Sequence, residues 1–544
     1  MPLYLGLDSS TQGLSAIVIS LEGEDRRIVF ESSLSFDESL PHYGTSHGVL
    51  PRRDPKIATS SPLMWAEALD LLIARMATSG LDLRQIAAVS GSAQQHGSVY
   101  LNAAWVHAVR ALDASRPLVH QLRSVFAREE SPIWMDSSTA EECAEITASV
   151  GGPDVLARRT GSRAFERFTG PQIRRFFKRS PEDYRATARV HLVSSFLASL
   201  LSGADAPIDP GDASGMNLMD LATQDWWPDA VHATAPELRD KLPKVAPSTT
   251  VVGTLAPYWQ GRHGLPAAKV IAWSGDNPCS LIGTGLVREG RVAVSLGTSD
   301  TVFGLMREPH VDVTGTGHVF GAPTGDYMGL TCFQNGSLAR ERMRNELGMD
   351  WAAFSRALDT TAPSVHIMLP WFEPEITPAV PIAGVHRYGP RDTRPEAEVR
   401  TLVEAQMMAM ALHSRWMGVE IDAIHATGGA AANRSILQTM ADVFGATVYQ
   451  LEVGNSAALG AALRAAHGGL VATGSPDDWE DVVHGFAEPL ATTSLTPDAR
   501  RQNFYRELMR VYEACEKHAL GKGPDPEPLL RKLGGPDGPP LQDN

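Results

Sequence analysis

An α/β protein of two domains is what this sequence predicts, on three observations. The chain has 544 residues, more than one hydrophobic core usually serves. Apolar strand-like runs alternate with helical stretches along its length. A strand, turn and strand near the start return as a similar unit beyond residue 290, a distance that suggests a duplicated domain rather than a short repeat.

The first element is a strand at residues 3–7, followed by the polar turn Asp8-Ser9-Ser10-Thr11-Gln12-Gly13 and a strand at 16–20: a hairpin with a hydroxyl-rich tip. Its counterpart runs from a strand at 291–296 through Gly297-Thr298-Ser299-Asp300 into a strand at 301–305. Between the two, strands are expected at 86–89 and 270–273 and helices at 62–76, 137–149 and 190–201. The second half continues with a helix at 399–417, a strand at 423–427, a glycine turn, a helix at 435–444 and a strand at 447–449. A last helix spans 500–520, and the Gly/Pro clusters after Lys522 predict a disordered tail. The expected division is therefore 1–285, 286–520 and a tail at 521–544.

A formal net charge of −15 argues against a nucleic-acid surface, which needs clustered Lys and Arg. No apolar run is long enough to span a bilayer, and the start lacks the basic and apolar regions of a secretory signal, so a cytoplasmic address is expected. The four cysteines, Cys143, Cys279, Cys332 and Cys515, stand far apart with no zinc-type spacing, and buried free thiols are expected. The sequence leaves oligomeric state open between monomer and homodimer.

Both hairpin tips offer backbone N–H groups, hydroxyls and small residues, the set that phosphate oxygens require. One such tip alone is an ordinary turn; its recurrence in register favours a phosphate role. No P-loop and no dinucleotide fingerprint occurs. At Trp273-Ser274-Gly275-Asp276-Asn277-Pro278 a buried-type strand ends in an acid and an amide, where open α/β sheets place ligands. Asp276 is the candidate base for phosphoryl transfer to an alcohol; the plainer alternative is that it caps the next helix. Asp8 is the candidate for holding Mg²⁺ through water. Gln94-Gln95-His96-Gly97 gathers amide and imidazole groups suited to sugar hydroxyls, although a lone histidine is often structural. Arg163 and Arg167 have the spacing to share a helix face, or to form a solvated pair. Thr427-Gly428-Gly429-Ala430-Ala431-Ala432-Asn433 could admit a flat purine or simply allow close packing of strand and helix.

With these residues in view the chain resembles the FGGY family of carbohydrate kinases, in the actin/hexokinase (ribonuclease H-like) superfamily, and within it the branch that includes animal enzymes acting on D-xylulose. The blocks that carry the likeness include LGLDSSTQG, VSGSAQQHGSVY, SPIWMDSST, GSRAFERFTGPQI, PIDPGDASGMNLM, GDNPCSLIG, VAVSLGTSDTVF, CFQNGSLARE and ATGGAAANR, in order from the first hairpin to about Gly469. The resemblance implies two domains with a cleft between them and ATP-dependent, Mg²⁺-assisted phosphorylation of D-xylulose to its 5-phosphate. It also implies that Asp276 is the catalytic base, that Asp8 and Asp276 lie near the metal, and that His96, Arg167, Asp276 and Asn277 contact the ketose, with Gln95 beside them. Asp8, Thr11, Gln12, Gly297, Thr298 and Ser299 match phosphate-loop positions; Trp351, Gly429, Ala430 and Asn433 match the adenosine site. Gln172 stands where bacterial members commonly have Lys, and the later family signature is poorly reproduced around Glu398–Ala405. The alternatives are a kinase for ribulose, a 1-deoxyketose or a polyol, and a non-catalytic sugar or nucleotide sensor, against which stands the absence of a basic helix-turn-helix pattern.

Overall fold

A computed structural model of the chain describes residues 2–21, 26–451, 454–475, 478–488 and 491–533. Its first sheet contains β1 (Leu3–Ser9), β2 (Gly13–Ser20), β3 (Arg27–Ser35), β4 (Ile86–Ala93), β5 (Val251–Thr254), β6 (Lys269–Ile271) and β7 (Ser274–Gly275), in the order β5-β6-β4-β1-β2-β3 with β7 also on β4. The second contains β8 (Arg291–Leu296), β9 (Asp300–Met306), β10 (Gly317–Gly321), β11 (Tyr327–Phe333), β12 (Ala423–Thr427) and β13 (Thr447–Gln450), in the order β10-β11-β9-β8-β12-β13. In the first sheet β3, β2 and β1 are antiparallel while β1, β4 and β6 are parallel. The same senses recur through β11, β9, β8, β12 and β13. The repeat glimpsed as two hairpins is thus a duplicated five-strand plan, and Ser10-Thr11-Gln12 and Gly297-Thr298-Ser299 are equivalent tips.

Each central strand is covered on both faces, which is why β1 reads as a continuous apolar run rather than an alternation. Over one face lies α1 (Pro62–Ala77), whose Trp65, Leu69, Leu72 and Met76 follow helical spacing into the core. Beside it α2 (Val193–Ser202) is buried from Val193 to Leu201. Next come α3 (Asp276–Gly283), which starts directly after β7, α4 (Ser337–Glu346) and α5 (Trp351–Thr360). The core of the second sheet joins Val292, Val294 and Leu296 to Met407 of α6 (Pro395–His413) and Met440 of α7 (Arg434–Phe444).

One helix departs from the expected division. Although α8 (Ser456–Val471) follows the second sheet in sequence, its Ala458, Ala462, Ala465 and Ala466 pack against Tyr4, Ile17, Ala88 and Ile271 of the first. Small residues permit the contact: a Cβ on Gly6 would lie 2.2 Å from the Ala462 nitrogen, and one on Gly460 only 1.8 Å from the Cys279 carbonyl oxygen of α3. The sequence boundary at residue 285 therefore does not divide the core.

Other expectations are corrected. Residues 190–192 end a strand, Thr187–Leu192, paired with Ser98–Asn102, so the helix expected from 190 begins at Val193. Arg163 and Arg167 lie in a loop before the helix Thr169–Arg179 and share no helix face; Arg163 pairs with Asp154 at 2.9 Å. After α9 (Ala499–Ala519), part of the tail expected to be disordered forms α10 (Glu527–Leu533), with Leu530 and Leu533 buried. Two leucines at i and i+3 outweigh the Gly/Pro composition around them; the rest of the tail lies outside the described residues. Among the described residues no helix is long and apolar enough to cross a membrane, and no cluster of three or more His, Cys, Asp or Glu could hold a metal. All four cysteines are free.

Candidate active site

Strand register assembles the acidic centre. Asp8 on β1 and Ser274 on β7 both stand opposite Ser92 of β4, and Gly275 stands opposite Ala93, so the carboxyl ends of three parallel strands lie side by side. Asp276 follows as the first residue of α3, whose cap is Gly275, so the carboxylate does not serve as the helix cap. Its Oδ1 accepts from the Asn277 backbone at 2.9 Å and from the Asn277 amide at 3.2 Å.

Burial, and then the Asp8 carboxylate, push Asp276 up from 3.8 to about 7. That rise corresponds to about 4 kcal/mol, whereas a helix N-terminus favours an anion by only about 0.3–1 kcal/mol. Desolvation and like charge win. Burial likewise pushes Asp8 up to about 6, with the Ser92 hydroxyl offsetting part of the rise. Asp212 is the third acid here, its carboxyl raised well above the usual range by burial and by the nearby Asp209 and Asp276; one of its oxygens accepts from Ser194. Asp8 Oδ1, Ser9 Oγ, Asp212 Oδ1 and both amide atoms of Gln94 are buried without a partner. Each such atom costs about 1–3 kcal/mol, so their concentration at the ends of these strands marks a place built to be filled by a polar ligand.

Beside the acids is a cluster of amide, imidazole and guanidinium groups. Gln95 donates to the Gly211 carbonyl at 3.2 Å and accepts from the Asn277 amide at 2.7 Å, and a Cβ on Gly275 would lie 2.2 Å from the Gln95 side chain. His96 has a left-handed backbone (φ 71°), stacks at a tilt on Phe168 with centroids 4.6 Å apart, and places Nδ1 2.8 Å from the Gly215 carbonyl. A carbonyl only accepts, so Nδ1 bears the proton and Nε2 is left as an acceptor. Burial, aided by Arg167, lowers the imidazole to about 3, so it stays neutral. Arg167 lies over Phe165 and Phe168 and donates to His318 at 3.1 Å. Gln172 holds the same loop by donating to Asp136 and to the Glu166 carbonyl.

On the second sheet a cavity of about 780 Å³ is lined by Gly297, Thr298, Arg340, Trp351, Gly429 and Asn433, among others. Ala430 belongs to the same wall. Trp351 starts α5, lines the cavity and is 44% exposed, with the Arg344 guanidinium over its ring, 4.5 Å from the centroid. A Cβ on Gly429 would meet nothing within 4 Å, whereas Gly428 adopts φ 86° against the Leu296 backbone. Asn433 caps α7 through Oδ1 and donates to Ser355 at 2.7 Å, so the packing role and a place in the cavity wall coincide. The second tip is anchored by a Ser337 N–H bond to the Gly297 carbonyl and by Asp300, whose carboxylate pairs with Arg340 at 2.8 and 2.9 Å. Ser299 is half-buried in that tip but does not line the cavity. On the first tip, Thr11 accepts from the Trp134 indole at 2.8 Å, while Gln12 is exposed and uses its carbonyl to accept from Phe36.

Sequence reasoning missed Asp212, His318 and the buried Arg464 of α8. Arg464 donates to the Gly91 and Ala272 carbonyls at 3.1 and 2.8 Å and meets Asp209 at 3.4 Å. Asp209 in turn accepts from Ser274 at 2.8 Å, two residues before Asp276. The only available signal was two acids close together in PIDPGDASG; His318 stands alone among apolar residues and gave none.

The model described as the N-terminal domain of the FGGY family of carbohydrate kinases matches residues 130–283, and that of the C-terminal domain matches residues 292–469. The chain is 42% identical over 536 residues to a protein of Mus musculus named xylulose kinase, covering 96% of this chain and 95% of that one. It is also 42% identical over 554 residues to xylulose kinase 2 of Arabidopsis thaliana, covering 96% and 98%. The crystal structure of xylulose kinase from Rhodospirillum rubrum superimposes with a TM-score of 0.79 at 20% identity, over 95% of this chain and 99% of that chain, a likeness of fold.

Proposed function

Because the chain belongs to the FGGY family of carbohydrate kinases, we propose that it transfers the γ-phosphoryl group of ATP to the terminal hydroxyl of D-xylulose, giving the 5-phosphate and ADP. The observation that carries the reading is Asp276. It adjoins the Gln95, His96 and Asn277 groups suited to a polyhydroxyl substrate, and it holds its proton up to about pH 7, where a general base is most effective.

In this mechanism His96 Nε2 and the Asn277 amide oxygen accept from ketose hydroxyls, while Arg167 donates to a ketose oxygen. Asp276 takes the proton of the attacking hydroxyl as the new O–P bond forms. The two hairpin tips offer backbone N–H groups and the Thr11, Thr298 and Ser299 hydroxyls to the phosphates. Trp351, Gly429, Ala430 and Asn433, which line one cavity, would hold the adenosine part of ATP. Mg²⁺ accompanying ATP would neutralise charge on the β and γ oxygens; Asp8, with its unpartnered Oδ1, and Asp276 suit a cation that takes few carboxylates. Closing the two domains would exclude water, which is itself a competing acceptor.

The nearest competing reading is another acceptor, since one hydroxyl mispaired in a buried pocket costs about 1–3 kcal/mol, roughly one to two factors of ten. Steady-state kcat/KM for ADP formation with D-xylulose, D-ribulose, 1-deoxy-D-xylulose and xylitol separates the two. D-xylulose is expected to lead; a higher value for another sugar overturns the substrate, and no sugar-dependent ADP with any of them overturns the kinase.

A further inference from the structure

We infer that His318 is a positioning residue for the ketose, reaching from the second half of the molecule to fix the Arg167 guanidinium. The inference rests on the reading above in which Arg167 touches the sugar.

Arg167 lies in a loop, and among the described residues no carboxylate forms an ion pair with it. Around it stand the Phe165 and Phe168 rings, 4.9 and 5.6 Å from the guanidinium carbon, and His318 Nε2 at 3.1 Å. A guanidinium only donates, so Nε2 must accept and the His318 proton must sit on Nδ1. That proton has a partner, the Ser162 hydroxyl at 3.0 Å. Ser162 is itself held, since the Asn217 amide donates to its carbonyl at 3.1 Å. Arg167, His318 and Ser162 therefore form a chain of single polarity. Burial and the Arg167 charge keep the imidazole well below its ordinary range and so neutral, as an acceptor must be.

The location gives the chain its significance. His318 is on β10, the edge strand of the second sheet, whereas Arg167 and Ser162 belong to the first half. Directly after His318 the strand bonds into that half: Val319 N–H donates to the Gly161 carbonyl at 2.9 Å, and Gly321 N–H to the Ser214 hydroxyl at 3.0 Å. With one of five donors directed at His318, the remaining guanidinium N–H groups are aimed by that anchor, so the ketose pocket is complete only when β10 is seated.

The test uses His318→Phe, which keeps an aromatic ring among Phe165, Phe168 and Phe320 but removes the acceptor, and His318→Gln, whose carbonyl reaches the place of Nε2. His318→Phe is expected to raise KM for D-xylulose about tenfold or more, with KM for ATP near wild type; His318→Gln should recover most of the loss. In an Arg167→Lys background His318→Phe should add little, since its effect passes through the guanidinium. An unchanged KM for D-xylulose in His318→Phe overturns the inference, as does an equal penalty with and without Arg167. If the phenyl variant does not fold, His318→Asn, too short to reach the Nε2 position, takes its place against His318→Gln with the same outcomes. A KM for D-xylulose unmoved by Arg167→Lys overturns the substrate reading beneath; one moved by Arg167→Lys but not by His318→Phe overturns this inference alone.

Discussion

Asp276 holds a proton up to about pH 7 because burial and the Asp8 charge outweigh the helix it begins. As a base it must be ionised, so kcat/KM should fall about tenfold per pH unit below roughly 7. Asp276→Asn should lower kcat by about 10²–10⁴, the usual contribution of a general base, while leaving the Kd for metal-free ATP within a factor of about two by calorimetry. Near-normal turnover would remove the assignment. The same substitution also has a consequence for stability. Folding raises this carboxyl above its unfolded value of 3.8, so the stability it contributes is full below about pH 4 and is lost as pH rises through 7. A neutral Asn escapes that loss: at pH 8 the variant should melt about 1–3 °C above wild type, with the difference gone by pH 4. A variant that melts lower at pH 8 contradicts the sign. Asp276, Asn277, Gln95 and His96 were legible because each follows a strand end within a few residues. Asp212 and His318 were not, since what gives each its meaning is a partner in a different segment.

At the scale of elements, the two hairpins were readable because a tip between two apolar runs is local chemistry. α8 was not, because a helix buried on every side has no polar face and hence no amphipathic period. Its small residues make the helix crossing possible, and that can be measured. Gly460→Ala would place a methyl group 1.8 Å from the Cys279 carbonyl, a backbone atom that cannot rotate away. The expected cost is about 1–3 kcal/mol or more, from overpacking, seen as a lower denaturant midpoint with an unchanged slope. A midpoint equal to wild type would mean that α3 and α8 are not in contact there.

Across the whole molecule, α8 ties the last part of the chain to the first sheet through Arg464, and β10 ties the second sheet to the loops around Arg167. If the halves close on their substrates, the radius of gyration by solution scattering should fall with D-xylulose and a non-hydrolysable ATP analogue together, and fall less with either alone; an unchanged radius would count against closure. By itself the sequence determined the α/β class, the duplication and the residues at strand ends, because strands, turns and caps are set by neighbours along the chain. Only the tertiary structure decided that a helix from the second half completes the first core and that three acids share one buried place. It also decided that an imidazole of one sheet holds an arginine of the other. Burial and charge coupling depend on distances in space between segments hundreds of residues apart, and no local pattern encodes them.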